Sequence, residues 1–110
     1  MMHTVGLRKV TIIAEAVLEP EILRAVRSLG ATGYTVAEVR GEGSRGVRAS
    51  EWEGHNVMVE TLVSREVGDR ILAHVAEAYF EHYAVVAYLT DVQVVRGAKY
   101  VASSQPGEER

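Results

Sequence analysis

The chain has 110 residues, 47% of them hydrophobic and 25% charged, the profile of a single globular domain rather than of a disordered or fibrous chain. Twelve Lys and Arg against fifteen Asp and Glu leave a net charge of −3, which argues against nonspecific nucleic-acid binding through a basic stripe. There is no cysteine, so disulfides, thiolate nucleophiles and Cys-ligated zinc are excluded.

A chain of this length buries roughly 65% of its unfolded surface on folding. Little of that core can be spared for a deep cavity, so a small-molecule site is expected in a cleft between subunits. Arg8 and Lys9 are not followed by the long apolar run of a secretory signal. No segment approaches the roughly 20 apolar residues of a membrane span, so the cytoplasm is the expected compartment.

Lys9 to Leu18 (KVTIIAEAVL) is β-branched and apolar at most positions and is predicted to be a strand buried on much of both faces. Glu19-Pro20-Glu21 reads as a helix start: proline is tolerated in the first turn, and carboxylates suit the positive end of the helix dipole. Ile22, Leu23, Val26 and Leu29 recur at helical spacing, and Gly30 ends the helix. Tyr34 to Arg40 (YTVAEVR) alternates as a strand.

Gly41 to His55 holds four glycines and no apolar period, so it is a long loop, a feature that is usually functional or disordered. Asn56 to Val63 is a third strand. Arg65 to Phe80 carries Val67, Ile71, Leu72, Val75, Ala76 and Tyr79 along one side of an amphipathic helix. Ala84 to Val95 is a fourth, strongly apolar strand. Folded sequence is expected over residues 1–97, and a flexible tail over 98–110.

The predicted order of strand, helix, strand, strand, helix, strand is the α+β, ferredoxin-like βαββαβ pattern, a four-stranded antiparallel sheet with both helices on one face. Val10, Ile12, Val57, Val59, Val86 and Tyr88, with apolar neighbours, make both sheet faces apolar. The face without helices is therefore expected to be buried by self-association.

No nucleophile–base pair stands out. His74 and His82 lie eight residues apart, not at the i, i+4 spacing of paired metal ligands, and with His3 and His55 they read as solvent-facing or interface residues. Glu15 and Glu60 each sit within an apolar strand, where a carboxylate must find a donor or face an opening. An ion pair with an arginine at a subunit contact and a ligand-facing role both remain open. Trp52 and Glu53 suit either a partner contact or packing on their own domain. The segment Gly41-Glu42-Gly43-Ser44-Arg45-Gly46-Val47-Arg48 is the strongest anion-binding candidate. Its glycines admit a close backbone approach and its guanidiniums offer paired donors, but it lacks P-loop and GxGxxG spacing.

Gly30 to Gly43 (GATGYTVAEVRGEG) closely resembles the GITGMTV-EVKGFG-type segment of PII signal-transduction proteins, which leads into their T-loop. Ser44-Arg45-Gly46-Val47-Arg48, Arg65-Glu66 and Tyr79-Phe80-Glu81-His82-Tyr83-Ala84 are more similar to the PII-like branch. That branch includes SbtB-type bicarbonate-transporter regulators and carboxysome-associated proteins. The resemblance spans about Lys9 to Val95. It implies a homotrimer with an adenine nucleotide in each intersubunit cleft and a T-loop at about 41–55. Thr35 would lie on the adenine side, Gly41 and Gly43 at the loop root, and Ser44, Arg45 and Arg48 at the phosphates. Glu60 to Leu62 would flank the adenine, Ala84 and Val85 would approach with backbone, and Lys99 loosely matches a basic residue after the fourth strand.

Departures from the family pattern sharpen the expectation. The Gly- and Lys-containing loop that holds β- and γ-phosphates is replaced by His82-Tyr83-Ala84-Val85-Val86, without lysine. AMP, ADP or cyclic AMP is therefore expected over ATP. The T-loop contains no tyrosine to accept a uridylyl group, and no cysteine is available for redox control. The implied role is non-catalytic regulation of a partner, such as a bicarbonate transporter or carboxysome component, with bicarbonate as a second candidate ligand. In the transporter case the protein would be peripheral to the membrane. The competing expectations are a ferredoxin-like hydrolase or oxygenase using Glu15, Glu60 and His82, and an RNA-binding domain. The latter is disfavoured by acidity and by the absence of an aromatic K/R-G-F/Y strand motif.

Overall fold

The computed structural model describes residues 3–41 and 55–95. Strand β1 (Thr4–Glu15) runs into a 3-10 turn (Ala16–Leu18) and helix α1 (Glu19–Ser28). Strands β2 (Thr35–Val39) and β3 (Asn56–Val63) follow, then helix α2 (Arg65–Tyr79) and strand β4 (Val86–Val95). The sheet order is β2-β3-β1-β4, and every neighbouring pair is antiparallel. This is the ferredoxin-like α+β arrangement predicted from the sequence. Among the described residues no helix is long and apolar enough to cross a membrane.

The first strand begins five residues earlier than the apolar run suggests and ends three earlier. Thr4 to Arg8 are recruited because they pair with Asp91 to Val95 of β4, a partner invisible to local pattern. Ala16 to Leu18 leave the ladder for a 3-10 turn, which places Pro20 in the first turn of α1 beside Glu19 and Glu21. The second strand is trimmed to Thr35–Val39 and the last to Val86–Val95, while Asn56–Val63 matches its expected limits.

Helix α1 closes as its sequence dictates. Gly30 N–H donates to the Arg27 carbonyl and Ala31 N–H to the Val26 carbonyl, at 3.2 and 3.0 Å, the paired bonds of a Schellman ending. Gly30 has φ +127°, and a Cβ there would lie 2.9 Å from Val67 Cγ2 on the other helix, so both backbone and packing call for glycine. Ser64 caps α2, its Oγ accepting from Val67 N–H at 3.3 Å.

Strand alternation decides which face is buried. Val10, Ile12 and Ala14 of β1 and Val59 and Val63 of β3 pack against Ile22 and Val26 of α1 and Val67, Ile71 and Val75 of α2. The opposite face carries no helix among the described residues. It presents Val5, Leu7, Lys9, Thr11 and Ile13 of β1, with Met58, Glu60 and Leu62 of β3 and Val86, Tyr88, Thr90, Val92 and Val94 of β4. This face is less uniformly apolar than expected. Val10, Ile12, Val57 and Val59 belong to the helix side, and a polar band crosses the open side.

One polar link ties the two helices together. Tyr79 at the end of α2 donates its hydroxyl to Glu21 Oε1 of α1 at 2.9 Å. Burial first, then this bond and the charge of Glu21, push the phenol up from 10.0 to about 12. Its contribution to stability is complete below pH 10 and is lost as pH rises to about 12, because the unfolded phenol ionises first across that window. Denaturant titrations from pH 9 to 12 are expected to show a steeper loss of stability for the native chain than for Tyr79→Phe. Parallel curves would mean that the Tyr79–Glu21 link contributes nothing.

Candidate functional site

Of the residues expected at a ligand site, Thr35, Gly41, Glu60, Leu62, Ala84 and Val85 fall in the described part of the chain. Gly43, Ser44, Arg45 and Arg48 lie outside the described residues, as do Trp52, Glu53, Lys99 and the expected tail.

Thr35 opens β2, and the approach to it is held from two sides. The Gly33 carbonyl accepts from Thr61 Oγ1 at 2.6 Å, and the Arg27 guanidinium lies 5.4 Å from the centre of the Tyr34 ring. Across the ladder Thr35 stands directly opposite Glu60. Such a cross-strand pair brings the two Cβ atoms to about 5 Å on one face of the sheet. Leu62 follows on that same face, half-buried and opposite Lys9. The structure thus brings Thr35, Glu60 and Leu62 together on the open face, beside the β2 edge.

Glu60 answers the question left by its place in an apolar strand. Its Oε2 lies 3.6 Å from Lys9 Nζ of the same chain, and both side chains are about one-third exposed. Among the described residues of one chain, its ion-pair partner is a lysine on the adjacent strand. Gly41 just beyond β2 is exposed, has no positive φ, and a Cβ there would meet none of the described residues within 4 Å.

Ala84 and Val85 sit at the other end of the sheet order. Amide N–H groups of His82 and Tyr83 both donate to the Tyr79 carbonyl, at 3.2 and 2.9 Å, and turn the chain from α2 toward β4. Val85 packs on the core, while Phe80 and Tyr83 stay substantially exposed. Because β2 and β4 are the two edge strands, three interstrand steps separate Thr35 from the Ala84–Val85 segment, about 14 Å across the sheet. One chain does not bring these two groups of residues together.

The catalytic alternative does not assemble. Glu15 ends β1 opposite Asn56, four residues along β3 from Glu60, a separation of about 13 Å. His82 is exposed in the turn after α2, and its Nε2 lies 3.9 Å from Glu81 Oε1. The three residues do not converge on one point. Among the described residues no group of three or more His, Asp or Glu side chains is placed to hold a metal ion.

Lys9, Thr11 and Tyr88 are not marked as site neighbours by the sequence. Thr11 is buried, and its hydroxyl has no hydrogen-bond partner among the described residues. The legible signal was the alternation of β1, which sets Lys9 and Thr11 on the face of Ile13. Only the register shows that they border Glu60 and Tyr88.

Residues 7–99 match the family model described as nitrogen regulatory protein P-II. A protein of Thermus thermophilus assigned to PII-like signaling is 55% identical, with a TM-score of 0.80 over 91% of this chain and 100% of its own. CPII of Thiomonas intermedia, a nitrogen regulatory PII-like protein bound to ADP, AMP and bicarbonate, is 24% identical with a TM-score of 0.79 over 92% and 99%. The same protein bound to ADP, AMP and acetate superposes at 0.77 with 23% identity over 91% and 99%. At that identity the Thiomonas structures speak for the fold. The match to the family model and the Thermus relative go further: this chain belongs to the nitrogen regulatory protein P-II family, as a PII-like member.

Proposed function

We infer that the chain is a non-catalytic signalling subunit that forms a homotrimer and binds an adenine nucleotide in each cleft between subunits. The observation that carries this reading is the division of the site between opposite edges of one sheet, with Thr35, Glu60 and Leu62 toward β2 and Ala84–Val85 leading into β4. In a ring of like chains the β2 side of one subunit can face the β4 side of the next and close the site. The relative from Thiomonas, which shares the fold, is described with ADP, AMP and bicarbonate.

Arg45 and Arg48, with Ser44 and Gly43, supply phosphate contacts from the T-loop, and Gly41 forms its root. Nucleotide binding orders the loop differently from the empty state and so changes docking of a protein partner. Such a switch works only to the extent that ligand binds the two loop states with different free energy. Bicarbonate as a second ligand and a bicarbonate transporter or carboxysome component as the partner complete the reading. It places the protein in the cytoplasm, peripheral to a membrane where the partner is a transporter.

The absence of lysine from His82–Val86 predicts that AMP, ADP or cyclic AMP binds more tightly than ATP. Isothermal titration with the four nucleotides is expected to give one site per chain and ATP as the weakest ligand. No binding of any of them at millimolar concentration overturns the sensor reading, and ATP as the tightest ligand overturns the selectivity.

A further inference from the structure

The open face carries a row of residues that no binding role fully accounts for. Following the register across all four strands, Thr35 of β2, Glu60 of β3, Thr11 of β1 and Tyr88 of β4 form one continuous rung. Lys9 and Thr90 stand opposite one another immediately beside it. On one side of this polar band the next rung is Ala37, Met58, Ile13 and Val86, and on the other side lie Leu7 with Val92 and Val5 with Val94. A belt of polar groups thus divides an otherwise apolar surface.

Two properties of the belt point beyond a single chain. The Lys9–Glu60 separation of 3.6 Å is well beyond the roughly 2.7–2.9 Å of a charge-assisted hydrogen bond. An ammonium has three donors and a carboxylate about four acceptor sites, so this loose pair leaves most of that capacity unused. The belt is also self-complementary in charge, because every copy carries one cation and one anion side by side. In a closed ring each subunit can give one and receive one.

We propose that this belt is an interchain lock, in which Lys9 of one subunit pairs with Glu60 of the next. The proposal rests on the self-association inferred above. Apolar flanks supply the drive for burial, but they tolerate sliding and rotation. A charged pair does not: out of register each ion is buried without its partner and pays the desolvation cost uncompensated. The belt therefore selects one relative placement of the chains, and with it the alignment of the β2 side of one subunit with the β4 side of another.

Charge reversal tests this by sedimentation velocity on the full chain without nucleotide. Lys9→Glu gives an all-negative belt and Glu60→Lys an all-positive one, so each alone is expected to raise the assembly dissociation constant at least about tenfold. In a mixed ring of three, two of the three contacts match opposite signs and one stays like-charged, so mixing the two variants is expected to restore assembly in part. Single variants that assemble like the native chain overturn the lock, and so does a mixture that assembles no better than either single variant while the Lys9→Glu/Glu60→Lys double variant assembles, since the pair then acts within one chain. Should a reversal prevent folding, Lys9→Met with Glu60→Gln serves instead. Native assembly is expected to weaken with ionic strength and the neutral pair's assembly to be insensitive to it, and equal salt dependence overturns the lock. A monomeric native chain would instead remove the assembly on which the proposal stands.

Discussion

Replacing Arg45 and Arg48 together by alanine is expected to weaken ADP binding by about two to four orders of magnitude. The chain carries a net charge of −3, so an anionic nucleotide meets an unfavourable average field and depends on local cations. Within Gly41–Arg48 two guanidiniums sit among three glycines, where backbone can approach a phosphate closely. Each charge-assisted hydrogen bond contributes about 1.5–3 kcal/mol. Affinity by calorimetry should fall in the double variant, and the thermal midpoint of the unliganded protein should stay put. Affinity equal to that of the native chain would remove both arginines from the site.

Ile71→Ala should produce the larger loss of stability, about 2–5 kcal/mol. Ile71 is fully buried at the middle of the α2 stripe formed with Val67 and Val75, against Val10 and Ile12 of the central strand. Truncation removes its transfer free energy and leaves a cavity that the flanking β-branched residues cannot easily fill. Against a total of about 5–15 kcal/mol for a domain, this is a large fraction. Urea unfolding should show a lower midpoint with an unchanged slope, and Ile71→Val should lose only about 0.5–1.5 kcal/mol. Both belong at one fixed protein concentration, because association adds its own stabilisation. A loss below about 1 kcal/mol for alanine would contradict the packing of α2 on the sheet.

The elements were legible where local chemistry and packing agree. Gly30 ends α1 because its backbone conformation and its closeness to Val67 both favour glycine, and Asn56–Val63 alternates because one face of β3 meets the helices. Disagreement came at ends. Ala16–Leu18 looked like strand because Val and Leu suit strands, yet Leu18 is buried from a 3-10 turn. Thr4 to Arg8 were not legible as strand because their partners lie more than eighty residues away on β4. Of the candidate site, the types and order of residues could be read from the chain and from family resemblance. That Thr35 faces Glu60, and that Lys9 lies beside it, could not.

Sequence by itself determined the order of strands and helices, the apolar stripes of both helices, the exclusion of thiol chemistry and the concentration of cationic residues within Gly41–Arg48. These follow from properties of residues and their near neighbours. Only tertiary structure decided the strand order β2-β3-β1-β4, which carries Thr35 and the Ala84–Val85 segment to opposite sides, and the register that aligns Thr35, Glu60, Thr11 and Tyr88. Strand pairing is a long-range choice, and alternation alone says which residues share a face of one strand without saying which residues they meet on the next. For the same reason a surface that looked uniformly apolar along the chain proved, once folded, to be divided by a belt of charge and hydroxyl.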